Sequence, residues 1–151
     1  MKKILVALDF SPASQKALRL AVKIAGPVGA DVLAVYVLDT TYLRFALKRG
    51  IQGQLKDTPD LKQRIDAYLE KQLRDARKKA GQSYSRLQTA VVRGIPSVAI
   101  LKAASEWKAD LIVAGTTGRS LAVQFLIGST AGELIRSARC PVLTLNPKTR
   151  V

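Results

Sequence analysis

The stretch Asp110-Leu111-Ile112-Val113-Ala114-Gly115-Thr116-Thr117-Gly118 runs from an apolar segment directly into two closely spaced glycines. An apolar run of this kind predicts a buried strand, and the glycines predict a loop after it. A nine-residue insert then leads to Gly128-Ser129-Thr130, a short helical pattern and a last apolar run that ends before Pro147. The spacing G-x2-G-x9-G-S therefore predicts a strand, a glycine-rich loop, a helix and a second strand.

The start of the helix in this stretch has the features of an anion site. Ser129 and Thr130 are residues that often cap helices, and the segment from Thr130 to Glu133 fits a capping box. The first amides of a helix and the positive end of its dipole attract anions, of which phosphate is the usual one. We therefore expect a phosphate-binding loop here; the alternative is that the glycines only form turns and bind no ligand.

Length and composition predict one folded domain over residues 1–151, with 48% hydrophobic and 24% charged residues. The apolar run after Lys2-Lys3 is interrupted at Asp9 and is too short for a secretory signal. No run approaches the length of a membrane span. The single cysteine, Cys140, excludes an internal disulfide and fits a reducing compartment, so we expect a cytoplasmic protein in which Cys140 has a packing role.

The chain is strongly basic. It has 25 Lys and Arg residues against 11 Asp and Glu, a net charge of +14, and no histidine. The basic and acidic counts are 9 and 4 in residues 1–57, 8 and 4 in 58–90, and 8 and 3 in 91–151. Because no segment is a basic tail or stripe, a nucleic-acid surface is the less favoured interpretation of this charge.

The first part of the chain alternates between strand and helix patterns. The apolar run from Ile4 to Leu8 is typical of a central parallel strand covered on both faces. Ser11 and Pro12 predict the start of a helix, which we expect to stop at Gly26-Pro27. A second strand is expected from Val32 to Leu38.

The remaining elements follow the same alternation. Residues 40–57 have no clear period and are expected to form either a flap over the site or a short helix from Tyr42 to Lys48. A helix opened by Thr58-Pro59 and ended by Gly81 has a charged outer face with pairs such as Glu70–Arg74. The later predictions are a strand from Leu87 to Val92, a helix after Gly94-Ile95-Pro96, and strands Leu111–Ala114 and Val142–Leu145. The helix carries Val98, Leu101, Ala104 and Trp107, of which Trp107 is expected at the edge of the core.

Strands that alternate with helices indicate a doubly wound α/β fold, with a five-stranded parallel sheet and helices on both faces. In open sheets of this class, ligands bind beyond the carboxyl ends of the strands, where the strand order reverses. The pattern alone leaves the strand order open.

The motif Gly115-x2-Gly118-x9-Gly128-Ser129 resembles the nucleotide-binding signature of the universal stress protein family, in its ATP-binding branch. The resemblance covers nearly the whole chain. Its other landmarks are Lys2 to Ser11 with its Asp-x-Ser turn, Gly94-Ile95-Pro96, Ala109 to Gly115, and Ala138 to Leu143. It implies the strand order 3-2-1-4-5, which would place Asp9 and Gly115 on either side of one crevice.

The resemblance also implies an adenine nucleotide, ATP, as the ligand, bound either alone or with Mg2+. Asp9 and the Val37 backbone would contact the adenosine end, while the amides and hydroxyls of the loop would hold phosphates, with Arg119 adding charge. Asp9 also has a simpler interpretation as a turn residue. Thr116-Thr117 replaces the Ser-His of many family members. The complete set of expected contacts is Ala7, Asp9, Val37, Gly115, Gly118, Arg119, Gly128, Ser129 and Thr130.

The expected function is that of a nucleotide-binding stress-response or signalling module that forms a homodimer through the strand Val142–Leu145. The sequence has no Walker-type loop and no histidine to act as a base, which argues against dedicated phosphoryl transfer but leaves slow hydrolysis open. The alternatives are a nucleotide-silent member that acts through protein contacts and a basic nucleic-acid-associated module. An adenylate-transferring enzyme is a third, for which the sequence has neither a second domain nor a catalytic constellation.

Overall fold

The computed structural model describes residues 1–39, 84–116 and 127–151, and single positions between residues 67 and 78. Predictions for the 40–57 connection, and for Gly118 and Arg119, lie outside the described residues. The elements with defined bounds are β1 (Lys3–Leu8), α1 (Pro12–Val28), β2 (Asp31–Asp39), β3 (Leu87–Gly94), α2 (Pro96–Trp107), β4 (Leu111–Gly115), α3 (Ser129–Ser137) and β5 (Val142–Leu145).

The five strands form one parallel sheet in the order β3-β2-β1-β4-β5, which confirms the predicted fold. The central strand is β1, where Ala7 lies opposite Val35 of β2 and Ala114 of β4. The strand order reverses between β1 and β4. Their carboxyl ends therefore border the crevice in which ligands of this fold class bind.

The two faces of the sheet are covered by different helices. Successive side chains of a strand point to opposite faces. Accordingly Ile4 and Val6 pack in one buried cluster with residues of α1, while Leu5 packs in a second cluster with Ile100 of α2 and Leu134 of α3. The continuous apolar run of β1 thus results from coverage on both faces, as predicted.

Helix α1 starts as predicted but ends later. The Oγ of Ser11 accepts a hydrogen bond from the Ser14 amide at 3.2 Å, which caps the helix. The predicted stop at Gly26-Pro27 is wrong, because the helix continues to Val28. Pro27 removes only one amide donor in the last turn. The actual end is set by Gly29, whose left-handed φ of 60° allows its amide to bind the Gly26 carbonyl at 3.2 Å.

The apolar residues that the sequence assigned to α2 do not all lie on its buried face. Val98 is 59% exposed, whereas Ile100 and Ala104 are buried and Trp107 packs against the core. Residues two positions apart are about 200° apart around a helix axis. With Ile100 facing the sheet, Val98 therefore points away from it. Between residues 67 and 78 the described positions are helical, and the predicted Glu70–Arg74 ion pair is present at 3.5 Å.

Asp110 joins the amino ends of the two central strands. Its Oδ2 accepts hydrogen bonds from the Lys2 and Lys3 amides at 2.6 and 3.0 Å, and its own amide binds the Lys3 carbonyl at 2.9 Å. The Lys2 amide, followed by the Lys3 amide, lowers the pKa of the Asp110 carboxyl. The ionised carboxylate therefore stabilises the start of β1 beside β4.

We expect Asp110→Asn to lower the melting temperature at pH 7, because the neutral amide is a weaker acceptor for the two backbone donors. A lowered pKa in the folded state means that the stabilisation is complete above the ordinary Asp pKa and is lost as the pH falls through the folded value. The difference in melting temperature between the variant and the wild type should therefore be smaller at pH ~3 than at pH 7. Thermal melts followed by circular dichroism at both pH values measure it.

Glu106→Gln is the matched control, because it removes one carboxylate from an exposed ion pair with Lys102, whose charged atoms lie 3.8 Å apart. Exposed ion pairs contribute little to stability, so the melting temperature of this variant should be close to that of the wild type. Equal melting temperatures for both variants at pH 7 would contradict the role given to Asp110.

Candidate functional site

The turn from β1 to α1 is held by side-chain hydrogen bonds. The Oδ1 of Asp9 accepts from the Ser11 amide at 2.9 Å, and the Asp9 amide donates to the Oγ of Ser14 at 3.3 Å. Asp9 therefore has the turn function that its sequence position also suggested. Only Oδ1 serves the turn: among the residues that the structure describes, no group donates to Oδ2. This oxygen belongs to the residue that directly follows the carboxyl end of β1.

Phe10 lies inside this turn and was missed by the sequence analysis. Its φ of 64° is in the left-handed region, where residues other than glycine are uncommon. Its ring stacks on Tyr36 of β2 with centroids 4.9 Å apart, and its carbonyl accepts from the Gln15 side chain at 2.9 Å. The sequence feature that could have indicated this role was the aromatic residue between Asp9 and Ser11. Such backbone conformations concentrate at binding sites.

Gly115, at the end of β4, packs against the first turn of α1. A Cβ at this position would lie 2.8 Å from the Cβ of Ala13 and 3.1 Å from the Ser14 amide nitrogen. These distances are too short for any other residue without movement of the helix backbone. The contact alone requires a glycine, so the presence of Gly115 is explained by packing before any ligand is considered.

Hydrogen bonds near the end of β5 hold both ends of the glycine-rich insert. The Thr116 amide donates to the Leu145 carbonyl at 2.8 Å, and the Gly128 amide donates to the Thr116 carbonyl at 2.6 Å. The Gly128 amide therefore already has an acceptor within the protein, and a contact between Gly128 and a phosphate stays a prediction. Gly118 and Arg119 lie outside the described residues.

Helix α3 begins directly after this junction. Gly128 is its N-cap, and the Gly128 carbonyl accepts from the Gly132 amide at 2.9 Å. The predicted capping box is wrong: Thr130 is inside the helix, and the Glu133 carboxylate instead binds Arg136 at 2.7 Å and Ser137 at 2.8 Å.

The corrected helix start leaves an anion-binding geometry in place. Ser129, Thr130 and Ala131 now form the first turn of α3, and amides in a first turn have no acceptor within the helix. Their donors and the positive end of the helix dipole favour an anion at this position.

The remaining predicted residues lie on the central strands. Ala7 is one residue before the end of β1, and Val37 of β2 pairs with Val92. Since Leu8 lies opposite Tyr36, Val37 is level with Asp9 along the sheet. The fold therefore brings Ala7, Asp9, Val37 and Gly115 to the carboxyl ends of three adjacent strands.

A cavity of about 310 Å³ lies between α2 and the segment that joins α3 to β5, near the amino ends of β4 and β5. Its lining includes Leu101, Ile112, Arg139 and Cys140. Burial, and then the negative charge of Asp110, raise the pKa of the Cys140 thiol. The thiol is therefore neutral at pH 7 and packs beside the core, which confirms its predicted packing role.

Within residues 1–39, 84–116 and 127–151, no group of His, Cys, Asp or Glu residues could hold a metal ion. No helix in the same ranges has both the length and the apolar character needed to cross a bilayer.

Residues 1–146 match the profile of the Universal stress protein family. The chain belongs to the universal stress protein family. Among its relatives, a universal stress protein of Methanocaldococcus jannaschii is 33% identical over 144 residues, which cover 95% of this chain and 81% of that protein.

Solved structures agree with this assignment. A universal stress protein in complex with cAMP has a TM-score of 0.69 at 23% identity, with 97% of this chain and 98% of that chain covered. The universal stress protein from Archaeoglobus fulgidus in complex with dAMP has a TM-score of 0.60 at 24% identity, with 95% and 97% covered. Because both sequence identities are below 25%, these two structures support the fold of this universal stress protein and nothing beyond the fold.

We expect Gly115→Ala to destabilise this universal stress protein by about 1–3 kcal/mol, the usual cost of overpacking, because the added methyl group meets Ala13 at 2.8 Å. Urea denaturation measures the free energy of unfolding. Gly26→Ala is the matched control: a Cβ there meets no atom within 4 Å, and the change should stabilise by about 0.4–1 kcal/mol. A Gly115→Ala variant as stable as the wild type would show that α1 moves freely over β4.

Proposed function

We propose that residues 1–151 form one domain that binds an adenine nucleotide, ATP, and acts as a stress-response or signalling module. The observation that carries the proposal is the position of the α3 start. Its first turn is linked through Thr116 to the end of the sheet at which Asp9 and Gly115 lie. The cAMP and dAMP of the two structural neighbours support it, because both contain adenine and a phosphate.

The proposed contacts follow from the chemistry of each group. The amides and hydroxyls of Ser129 and Thr130 hold phosphates, and Gly118 and Arg119 add to this end. The Oδ2 of Asp9 accepts from a hydroxyl or amine of the adenosine. The other members of the proposed site let the ligand come close to the backbone and contribute no charge. They are Ala7, Val37, Gly115 and the Gly128 backbone.

We propose binding rather than dedicated catalysis. The sequence has no histidine, and Asp9 is the single carboxylate at the ends of β1 and β4, where it also serves the turn. Mg2+ would accompany ATP as the phosphate complex, held by the phosphate oxygens. The single cysteine fits a reducing compartment, which supports a cytoplasmic location.

ATP at about 100 times its dissociation constant should stabilise the folded state by roughly 2.7 kcal/mol. For a chain of this length the melting temperature should rise by roughly 5–10 °C. Differential scanning fluorimetry with ATP, ADP, AMP and cAMP, each with and without Mg2+, measures the shift and ranks the ligands. Melting curves that none of the nucleotides moves would remove the nucleotide function.

Two variants separate the site from the fold. Asp9→Asn keeps an oxygen for the Ser11 amide but removes the charge, so the protein should fold while binding weakens at least about tenfold, the effect of losing one charged hydrogen bond. Thr130→Val removes the hydroxyl and should weaken phosphate-bearing ligands but not adenosine. Asp31→Asn makes the same charge change at the amino end of β2 and should leave the affinity unchanged.

We further propose a homodimer through the open edge of β5. The Ile112 amide binds the Pro141 carbonyl, and the Thr116 amide binds the Leu145 carbonyl. In a parallel ladder alternate residues face the neighbouring strand, so the backbone groups of Val142 and Thr144 point away from β4. An apolar edge strand of this kind is a template for pairing with a second copy about a two-fold axis.

Thr144→Pro should convert the dimer to a monomer, because it removes a donor from the open edge but none from the β4 ladder. Light scattering after size-exclusion chromatography, at tens of micromolar as an order of magnitude for weak association, measures the mass. Thr89→Pro is the matched control on β3, the opposite edge strand, where the Arg86 carbonyl accepts from Val32 and residue 89 therefore faces outward. A wild type that is monomeric throughout this range would contradict the dimer.

A further inference from the structure

The outer face of α1 carries three cations with no carboxylate on the same helix. Lys16, Arg19 and Lys23 are spaced by three and four residues, which places them on one side of the helix. The opposite side is buried in the core. No Asp or Glu occurs between Asp9 and Asp31, so α1 itself cannot neutralise these charges.

The carboxyl-terminal segment adds to the same surface. The Nζ of Lys16 donates to the Pro147 carbonyl, which places the segment after β5 beside the first half of α1. Lys148 and Arg150 follow and are exposed. No Asp or Glu occurs after Glu133. We call Lys16, Arg19, Lys23, Lys148 and Arg150 the α1 cationic face.

Cations on the other side of the sheet are arranged differently. Lys102 of α2 lies 3.8 Å from Glu106, and Arg136 of α3 lies 2.7 Å from Glu133. Both are therefore partly neutralised by a carboxylate on their own helix. The positive charge is evenly distributed along the sequence. In the described structure the five residues of the α1 cationic face form one group, while other exposed cations such as Arg93, Lys108 and Arg139 lie elsewhere on the surface.

We propose that the α1 cationic face binds the phosphate backbone of nucleic acid. Neighbouring cations on a helix are about 5–6 Å apart, while a duplex carries one negative charge per ~1.7 Å of its axis. Several of the cations can therefore contact phosphates together. Binding of this kind is independent of base sequence, because Lys and Arg contacts to phosphates carry no sequence information.

The surface chemistry favours nucleic acid over a lipid membrane. Helices that bind membranes insert apolar side chains beside their cations. In α1 the apolar residues Ala17, Leu18, Ala21 and Ala25 are buried against the sheet, and Leu20 and Ile24 also pack on that core. The exposed large apolar side chain of α1, Val28, lies in the last turn of the helix and not between the three cations.

The test is fluorescence anisotropy of a labelled 20-base-pair DNA of arbitrary sequence, titrated with the full chain at several salt concentrations. If all five cations contact phosphates, log K should fall with log[salt] with a slope of about −4.5, or roughly 500-fold between 50 and 200 mM. The variant Arg19→Gln, Lys23→Gln, Lys148→Gln leaves two contacts, so its slope should be about −1.8, or roughly 12-fold. Lys16 is kept because it anchors the carboxyl-terminal segment.

The matched control is Lys102→Gln, Arg136→Gln, Arg139→Gln, which lowers the net charge by the same amount on the other side of the sheet and should keep the wild-type slope. Equal losses in both variants would show that net charge alone attracts DNA and would overturn the proposal. So would the absence of binding at 50 mM salt. Binding to phosphatidylserine vesicles without binding to DNA would assign the face to membranes instead. Circular dichroism confirms that each variant is folded.

Discussion

The contact between Gly115 and the first turn of α1 is the constraint on which the rest of the site depends. Since a Cβ would come within 2.8 Å of Ala13, β4 and α1 approach as closely as a backbone allows. This approach fixes the start of α1 over the boundary between β1 and β4, where the strand order reverses. The turn before α1 is stabilised by Ser11 and Ser14. Their hydrogen bonds to each other and to Asp9 restrict the conformation of this turn. A ligand at the strand ends therefore meets a preorganised surface.

The donors at the start of α3 are tied to the same surface by backbone hydrogen bonds. The Thr116 amide donates to the Leu145 carbonyl, and the Thr116 carbonyl accepts from the Gly128 amide. Thr116, the residue that follows β4, therefore joins β4, β5 and the start of α3. The use of the Gly128 amide in this junction removes one phosphate donor but fixes the direction of those that follow. Preorganised donors bind an anion without a cost for ordering them, which is the advantage of building such a site on rigid elements.

The sequence predicted those features that follow from local pattern. The apolar run of β1 predicted a doubly covered strand, and Ser11 with Pro12 predicted the start of α1. The errors occurred where two signals competed. Pro27 suggested a helix stop, but Gly29 two residues later supplies the left-handed residue that actually ends the helix. Glu133 suggested a capping box, but its carboxylate is taken by Arg136 one turn ahead. Contacts distant in sequence, such as that of Gly115 with α1, leave no local pattern and could not be predicted.

The two proposed anion-binding features act through different physics and use the basic residues of the chain to different extents. Lys23 lies twelve residues after Ser11, which is about 18 Å along the helix axis. At physiological ionic strength the screening length is about 8 Å, so the charge of Lys23 is largely screened at the carboxyl end of the sheet. In the proposed site a nucleotide would be held mainly by nearby amides and hydroxyls of the first turn of α3, with Arg119 adding charge. Binding of a polyanion to the α1 cationic face would be driven chiefly by the release of counterions, and this contribution increases with the number of phosphates contacted. If the α1 cationic face binds a polyanion as proposed, five of the 25 basic residues serve that surface, and they act independently of the amides and hydroxyls of the proposed nucleotide site.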